Sequence, residues 1–472
     1  MYSSIIDVQR ALSSGVTSVE ILNYFLDKIK SEKKLNVFLE VFEESAINQA
    51  TKVDEKIKSK TQGCLAGVVI AIKDNLCYKN HKVSASSKML KDFKSIYTAT
   101  AVQRLIDEDA IIIGRVNCDE FAMGGSNENS AFGPVLNSIN QDYVPGGSSG
   151  GSAVAVQAGL CTASLGSDTG GSIRQPAAFT GTIGFKPTYG AISRHGLIAY
   201  ASSFDQIGVF TNTIEDSTVL YNVMHGPDSY DSTAIQQSNR VLPEKESSDK
   251  KITVAVISEY NEAKGLDLEI KQKLVQTIEK LENAEMTIKE VSFPFLEVLV
   301  PTYYVITTAE ASSNLSRFDG VHYGHRSEKA IGVNETYVKS RTEGFGKEVK
   351  RRIMAGTFVL SHEYYDAYFT KAQKVRRLIY EKTQDIFSNC DVIIMPTTSS
   401  TAFKLNSVTD PVEMYLQDKF TVHANLSGNP AISIPLGIHS NGLPYGLQVM
   451  GAVCDEEMVF RVAEKIQRLL ND

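Results

Sequence analysis

Residues 145–187 read PGGSSGGSAVAVQAGLCTASLGSDTGGSIRQPAAFTGTIGFKP, and the rest of the chain is organised around them. The stretch carries two glycine-flanked serines, Ser148 in GGSSGGS and Ser172 in DTGGSIR, separated by a small-residue segment (153–160) and a short apolar run (161–165). Glycine lacks Cβ, so both turns can bend sharply and bring backbone N–H groups close to a ligand. In DTGGSIRQP the successive amides of Thr169, Gly170, Gly171 and Ser172 lead into a helix that Pro176 can occupy early, which aims several donors at one spot. Such donors stabilise the oxyanion that forms when a hydroxyl attacks a carbonyl, and Ser172 is the hydroxyl at the end of the turn. A serine hydroxyl is a weak nucleophile without a base, and no histidine lies between His81 and His195.

A base is available upstream. LAGVVIAIKDN reads as a buried strand over 68–72 that delivers Lys73 at its end, followed by a polar turn at Asp74 and Asn75. Desolvation disfavours an ammonium, so a lysine placed there can be held neutral and can take a proton. Short apolar strands (68–72, 111–114, 162–165) alternate with helices, including 101–107, which is the pattern of an α/β fold. Two other readings of the glycine turns fail on context. GGSSG fits the nucleophile elbow GxSxG, but that elbow needs a strand directly before it and a catalytic histidine after it. Here Pro145 precedes the turn, and His195, His225, His322, His325, His362, His423 and His439 sit in no recognisable motif. A phosphate-binding Walker loop needs GK[ST] after its glycines, and none follows.

Lys73 in AIKDN, Ser148 in GGSSGGS and Ser172 in TGGSIR, in that order and spacing, resemble the amidase signature family with its Ser–cis-Ser–Lys triad. The core of the resemblance covers about residues 65–210. The later stretches EASSNLSRFDG, EVKRRIMAGTFVLS, YYDAYF, IIMPTT and FTVHANLSGNPAISIP are similar to the branch of the family that hydrolyses glutamine to supply ammonia for amidating tRNA-bound glutamate. The resemblance implies an α/β amidase signature fold, one large mixed β-sheet covered by helices on both faces, in a single domain over 1–472. It implies a triad of Ser172 as nucleophile, Ser148 as relay after a cis peptide and Lys73 as base, and an oxyanion hole from the amides of Thr169, Gly170, Gly171 and Ser172. No metal or cofactor is implied in this chain. ATP and Mg²⁺ are implied in a partner B subunit that binds the tRNA, with a small C subunit completing a heterotrimer. The alternative within the family is a stand-alone amidase acting on another small or acyl amide.

By the same resemblance, Gly124 in FAMGGS, Tyr303 in PTYYV (or its neighbour Tyr304), Arg352 in EVKRRIM (or Arg351) and Asp418 in YLQDKF match glutamine-binding positions. The chemistry fits, since a guanidinium fork suits an α-carboxylate and an acid suits an α-ammonium. His423 in FTVHANLSGNPA stands where the family pattern has proline, which bears on the loop beside Asp418.

The 472 residues are 42% hydrophobic and 22% charged, ordinary for a globular enzyme with a large core. A net charge of −7 argues against a chain that grips nucleic acid itself, so any tRNA is expected on a partner. Six cysteines form no CxxC pair and no metal-ligand cluster with the histidines, and read as reduced, mostly buried thiols. The N-terminus shows neither a signal-peptide nor a transit-peptide pattern, and a cytoplasmic enzyme is expected. Residues 1–60 read as a helical layer, with Thr17 and Glu20 forming a capping box, and 226–250 as a polar surface connection. Strands are expected at ITVAVI, DVIIMPT and AISIPLG, and helices over 267–282, 364–388 and 455–470.

Overall fold

The structure, a computed structural model, describes residues 2–236, 241, 251–284 and 286–471. Eleven strands form one mixed sheet: β1 Phe38–Val41, β2 Val69–Lys73, β3 Ile111–Val116, β4 Ala163–Asp168, β5 Ile183–Lys186, β6 Gln206–Thr211, β7 Thr253–Ile257, β8 Thr287–Val291, β9 Val392–Pro396, β10 Ala431–Ile438 and β11 Pro444–Gly451. Their order across the sheet is β1-β3-β2-β4-β6-β5-β10-β11-β9-β7-β8. The β3-β2-β4 and β9-β7-β8 groups are parallel, and the remaining pairings are antiparallel.

Successive side chains of a strand point to opposite faces, and the sheet sorts them into two cores. Val254, Val256, Val392, Ile394, Ile432 and Val449 join one apolar cluster. Their neighbours Ala255, Ile257, Ile393, Met395, Ala431 and Met450 join the other. Both faces are therefore covered by helices, as the α/β expectation requires.

The expected strands at 68–72, 111–114 and 162–165 are found, each slightly longer or shifted by a residue or two. β2 is VIAIK, buried along its whole length between β3 and β4, which is why it reads as an unbroken apolar run. Its last residue, Lys73, pairs with Val116 of β3, and Ile72 pairs with Leu165 of β4. Lys73 and the Ser167–Asp168 end of β4 thus meet at the carboxyl edge of adjacent parallel strands, where open α/β sheets place their sites. The small-residue segment 153–160 is helical as far as Gln157, in the buried helix Gly150–Gln157, whose Gly151 lies so close to the Asn117 backbone that no Cβ fits.

In the N-terminal region the Thr17–Glu20 capping box forms, with the Glu20 carboxylate accepting from the Thr17 amide at 2.7 Å. This region is not helical throughout. Between helices Ser18–Ser31 and Glu43–Ser59 runs β1, which adds antiparallel to β3 and sets Glu40 against Arg115 at 3.0 Å. The connection expected over 226–250 is irregular where it is described, and residues 237–240 and 242–250 lie outside the described residues. The helix expected over 364–388 begins with a π-type turn, Asp366–Thr370, before Lys371–Phe387. The six cysteines are thiols; four are buried, Cys454 is half-buried and Cys64 is exposed.

Candidate active site

Lys73 is wholly buried, and its Nζ lies 2.7 Å from Ser148 Oγ, 2.8 Å from Ser149 Oγ and 2.9 Å from Ser167 Oγ. Burial pushes the amine down to about 8, against the pull of Cys118, Asp119, Asp168 and Asp205 nearby. One of the three hydroxyls has its role fixed by another contact. Ser149 gives its own hydrogen to the Ser167 carbonyl at 3.0 Å, so toward Lys73 it can only accept. Ser167 Oγ accepts from Asn75 Nδ2 at 2.9 Å, which leaves it a second lone pair for a Lys73 hydrogen. A neutral amine has two hydrogens and one lone pair. When its hydrogens go to Ser149 and Ser167, both of which have a lone pair to receive one, its own lone pair is left for Ser148.

The loop that carries Ser148 is tied down on every side. The Gly147–Ser148 peptide is cis. Gln175 accepts from the Gly147 amide at 2.9 Å and donates to the Gly125 carbonyl at 2.8 Å, while the Asp119 amide donates to the Ser148 carbonyl at 3.1 Å. The Ser149 amide donates to the Ser172 carbonyl at 3.3 Å, which joins the two serine turns directly.

Ser172 is partly exposed, and its hydroxyl makes no hydrogen bond among the described residues. Its turn is shaped by Asp168, which accepts from the amides of Gly171 at 2.9 Å and Ile173 at 3.1 Å. The Gly171 amide, expected among the oxyanion donors, is thus already engaged, because the Asp168 carboxylate folds back under the turn. The amides of Gly170 and Ser172 donate to no acceptor among the described residues. Thr169 donates through its hydroxyl to Asp205 at 2.7 Å. Neither glycine tolerates a side chain. A Cβ on Gly170 would come within 2.5 Å of the Tyr303 hydroxyl, and Gly171, at φ +133°, abuts Thr421.

Beneath the turn Arg174, fully buried, spends all five of its N–H donors. Nε and Nη2 hold Asp168 at 3.1 and 2.9 Å, and the other bonds go to the Thr421 carbonyl, Gln448 and Asn425 at 2.6–2.8 Å. Burial would raise Asp168, but Arg174 outweighs it and holds the acid down to about 2. Sequence reasoning alone misses Asp168, Arg174, Ser149, Ser167 and Asn75 as residues that order this site, although all five stand in the quoted motifs. The one signal for them is that a charged pair, Asp168 and Arg174, brackets the glycine turn.

The remaining predicted positions lie on the side of Tyr303. That ring packs on Gly170, whereas Tyr304 donates its hydroxyl to Asp418 Oδ2 at 2.7 Å. Arg352 is buried, with Nε on Glu348 at 2.8 Å, Nη1 on the Tyr200 hydroxyl at 2.9 Å and its guanidinium 5.2–5.4 Å from the rings of Tyr200, Tyr304 and Tyr415. Arg351 points outward and pairs with the other Glu348 oxygen. Asp418 is half-buried and pushed up to about 7, chiefly by burial. Its loop is pinned to the Ser172 turn, since Thr421 Oγ1 donates to the Gly170 carbonyl at 2.6 Å, with the Asp418 carbonyl 3.1 Å away. Gly124 lies against the Asp119 carboxylate, where a Cβ would collide.

His423 turns away from this site into the core. It bonds Tyr260 at 2.7 Å and Thr383 at 2.8 Å, stacks on Phe293, and is pushed down to about 3 by burial, so it is neutral. Among the described residues no histidine bonds to Lys73, Ser148 or Ser172, which removes the hydrolase-elbow alternative on geometric grounds.

A family model described as Amidase matches residues 20–460. The A subunit of the Salinibacter ruber glutamyl-tRNA(Gln) amidotransferase is 45% identical, the match covering 98% of this chain and 99% of that protein. The protein of the same name from a Sulfurihydrogenibium species is 48% identical over 97% of this chain and 95% of its own length. The crystal structure of the glutamyl-tRNA(Gln) amidotransferase A subunit from Thermotoga maritima superposes with a TM-score of 0.81 at 37% identity, covering 98% of this chain and 94% of that one.

Proposed function

The chain belongs to the amidase signature family, and on that premise we propose that it is the glutamine-hydrolysing A subunit of a glutamyl-tRNA(Gln) amidotransferase. Ser172 Oγ attacks the side-chain amide carbon of glutamine. Its proton passes to Ser148 as the Ser148 proton passes to the lone pair of neutral Lys73. The proton then returns along the same path to the leaving nitrogen, the C–N bond breaks, and ammonia departs from a γ-glutamyl ester on Ser172. Water, activated by the same pair, cleaves the ester to glutamate and restores the serine. The free amides of Gly170 and Ser172 are placed to receive the developing oxyanion, with Thr169 as a further candidate. Arg352 takes the α-carboxylate and Asp418 the α-ammonium, with Tyr303 and Gly124 shaping the space between.

The observation that carries this reading is the buried Lys73 amine, ringed by three serine hydroxyls with Ser148 the nearest at 2.7 Å. An amine held near 8 is a competent base close to neutral pH, which a solvated lysine is not. The ammonia then serves a B subunit that binds the tRNA and activates its glutamate with ATP and Mg²⁺, with a small C subunit holding the assembly together, in the cytoplasm. This chain contributes no metal or cofactor to the chemistry. That the chain forms one domain is supported by its single sheet, which runs from Phe38 to Gly451. The test is to purify the chain with its co-purifying partners and assay glutamate release with and without Glu-tRNA(Gln) and ATP. Glutamine hydrolysis coupled to Gln-tRNA(Gln) formation is expected. Turnover of acyl amides in preference to glutamine, with no partner retained, would favour a stand-alone amidase.

A further inference from the structure

Two consecutive tyrosines of the helix Leu296–Asn314 serve different parts of the site. Tyr303 lies on the nucleophile turn, and Tyr304 reaches the pair assigned above to the α-groups of glutamine. Tyr304 is anchored on three sides. Its ring stacks on Tyr415 at 4.1 Å and 24°, meets Tyr303 edge-on at 5.0 Å, and lies 5.2 Å from the Arg352 guanidinium. Its hydroxyl, 2.7 Å from Asp418 Oδ2, is the one hydrogen-bond donor to that carboxylate among the described residues. A ring locked by stacking holds its hydroxyl in one place at little entropic cost.

We propose that Tyr304 is a specificity-positioning residue: its hydroxyl orients the Asp418 carboxylate and stabilises its ionised form, so that the site separates glutamine from an otherwise identical amide lacking the α-amine. The proposal rests on the glutaminase reading and deepens it. An ammonium is recognised by an ionised carboxylate and far less by a neutral carboxyl, so whatever keeps Asp418 ionised keeps the selectivity. The groups that face Asp418 are few. Tyr304 and Tyr303 come from the helix Leu296–Asn314, Arg352 from the helix Lys347–Val359, Asp168 from the end of β4 and Arg174 from the helix Arg174–Thr180. Burial pushes Asp418 up to about 7, with the Tyr304 bond and Arg352 opposing it, so the carboxylate titrates near neutral pH and is sensitive to losing one donor.

The experiment compares wild type with Tyr304→Phe in the intact complex, with L-glutamine and with glutaramate, which keeps the amide and one carboxylate but lacks the α-amine. Phenylalanine keeps the ring stacking and removes only the hydroxyl. KM for glutamine is expected to rise about 10-fold or more with kcat changed less than about twofold, while glutaramate kinetics shift little. Because a hydrogen bond to a carboxylate lowers its pKa, its loss should also move the acid limb of kcat/KM for glutamine to higher pH. In an Asp418→Asn background the Tyr304→Phe effect should disappear, since the two residues act as one unit. If wild type prefers glutamine strongly and Tyr304→Phe behaves like wild type, or if both substrates suffer equally, the proposal is overturned while the glutaminase reading stands. If wild type itself does not distinguish glutamine from glutaramate, the assignment of Asp418 to the α-ammonium fails and the proposal with it, while coupled formation of Gln-tRNA(Gln) still decides the glutaminase reading.

Discussion

The Lys73 amine stands 2.7 Å from the Ser148 hydroxyl inside the protein, with none of its side chain reaching solvent. Burial is the largest influence on it and holds it near 8, about where half of it is neutral in mildly alkaline buffer. Only the neutral amine can accept a proton. As pH falls through about 8 the amine becomes protonated, so kcat/KM for glutamine should decline on the acid side with a limb near that value, steepen below about 7 where Asp418 is protonated too, and level off above 8. A pH–rate profile checks this. A limb near 6 instead would point to Asp119 or Asp205, which burial raises to about 6.

Lys73→Ala and Ser148→Ala should each lower glutamine hydrolysis by several orders of magnitude, and the double variant should be little worse than either, because members of one relay do not contribute additively. Steady-state kinetics of the three variants test the point. Near-normal turnover in Lys73→Ala would remove lysine as the base.

Arg352→Ala and Asp418→Ala should weaken glutamine use by roughly 10- to 150-fold in kcat/KM, the range of one charge-assisted hydrogen bond. Ammonium-dependent formation of Gln-tRNA(Gln) should be spared in both. Arg352→Ala also takes one of two arginines from the buried Glu348 carboxylate, which keeps Arg351 and the Tyr415 hydroxyl, so its thermal midpoint should fall modestly as well, which scanning calorimetry would read.

Arg174→Gln should destabilise the fold more than any of these substitutions. It removes a guanidinium that uses all five donors and leaves the Asp168 carboxylate buried without its counter-charge, at a cost of about 3–5 kcal/mol. Denaturant unfolding measures it. A loss under about 1 kcal/mol would mean that the turn is held mainly by Asn425 and the glycine geometry.

The parallel core is legible in sequence because β2, β3 and β4 are buried on both faces, so β2 and the start of β3 read as apolar runs, and β2 ends on Lys73. Less visible are the strands whose residues serve both sheet and surface. β1 is hidden inside an otherwise helical region, and β8, TIKEV, is an edge strand that is mostly exposed. β11 pairs with β10 through a turn holding Asn441-Gly442, a hairpin signal that the sequence contains but that the strand expected at AISIPLG does not reach. At the site, the glycine turns and Lys73 can be seen because their chemistry is local. The partners that order them cannot, because Ser149 and Ser167 look like any other serines until the fold brings both to Lys73. Likewise Tyr304 and Asp418 become neighbours only through contacts across 114 residues of chain.

The most direct test of the central claim separates the nitrogen source from the transfer of nitrogen. In the purified complex, Ser172→Ala should leave the fold and partner binding intact and abolish glutamine-dependent formation of Gln-tRNA(Gln), while saturating ammonium still supports it at close to the wild-type rate. Equal loss with glutamine and with ammonium, or retained glutamine-dependent activity in Ser172→Ala, would contradict the assignment of Ser172 as the nucleophile that releases ammonia for a partner.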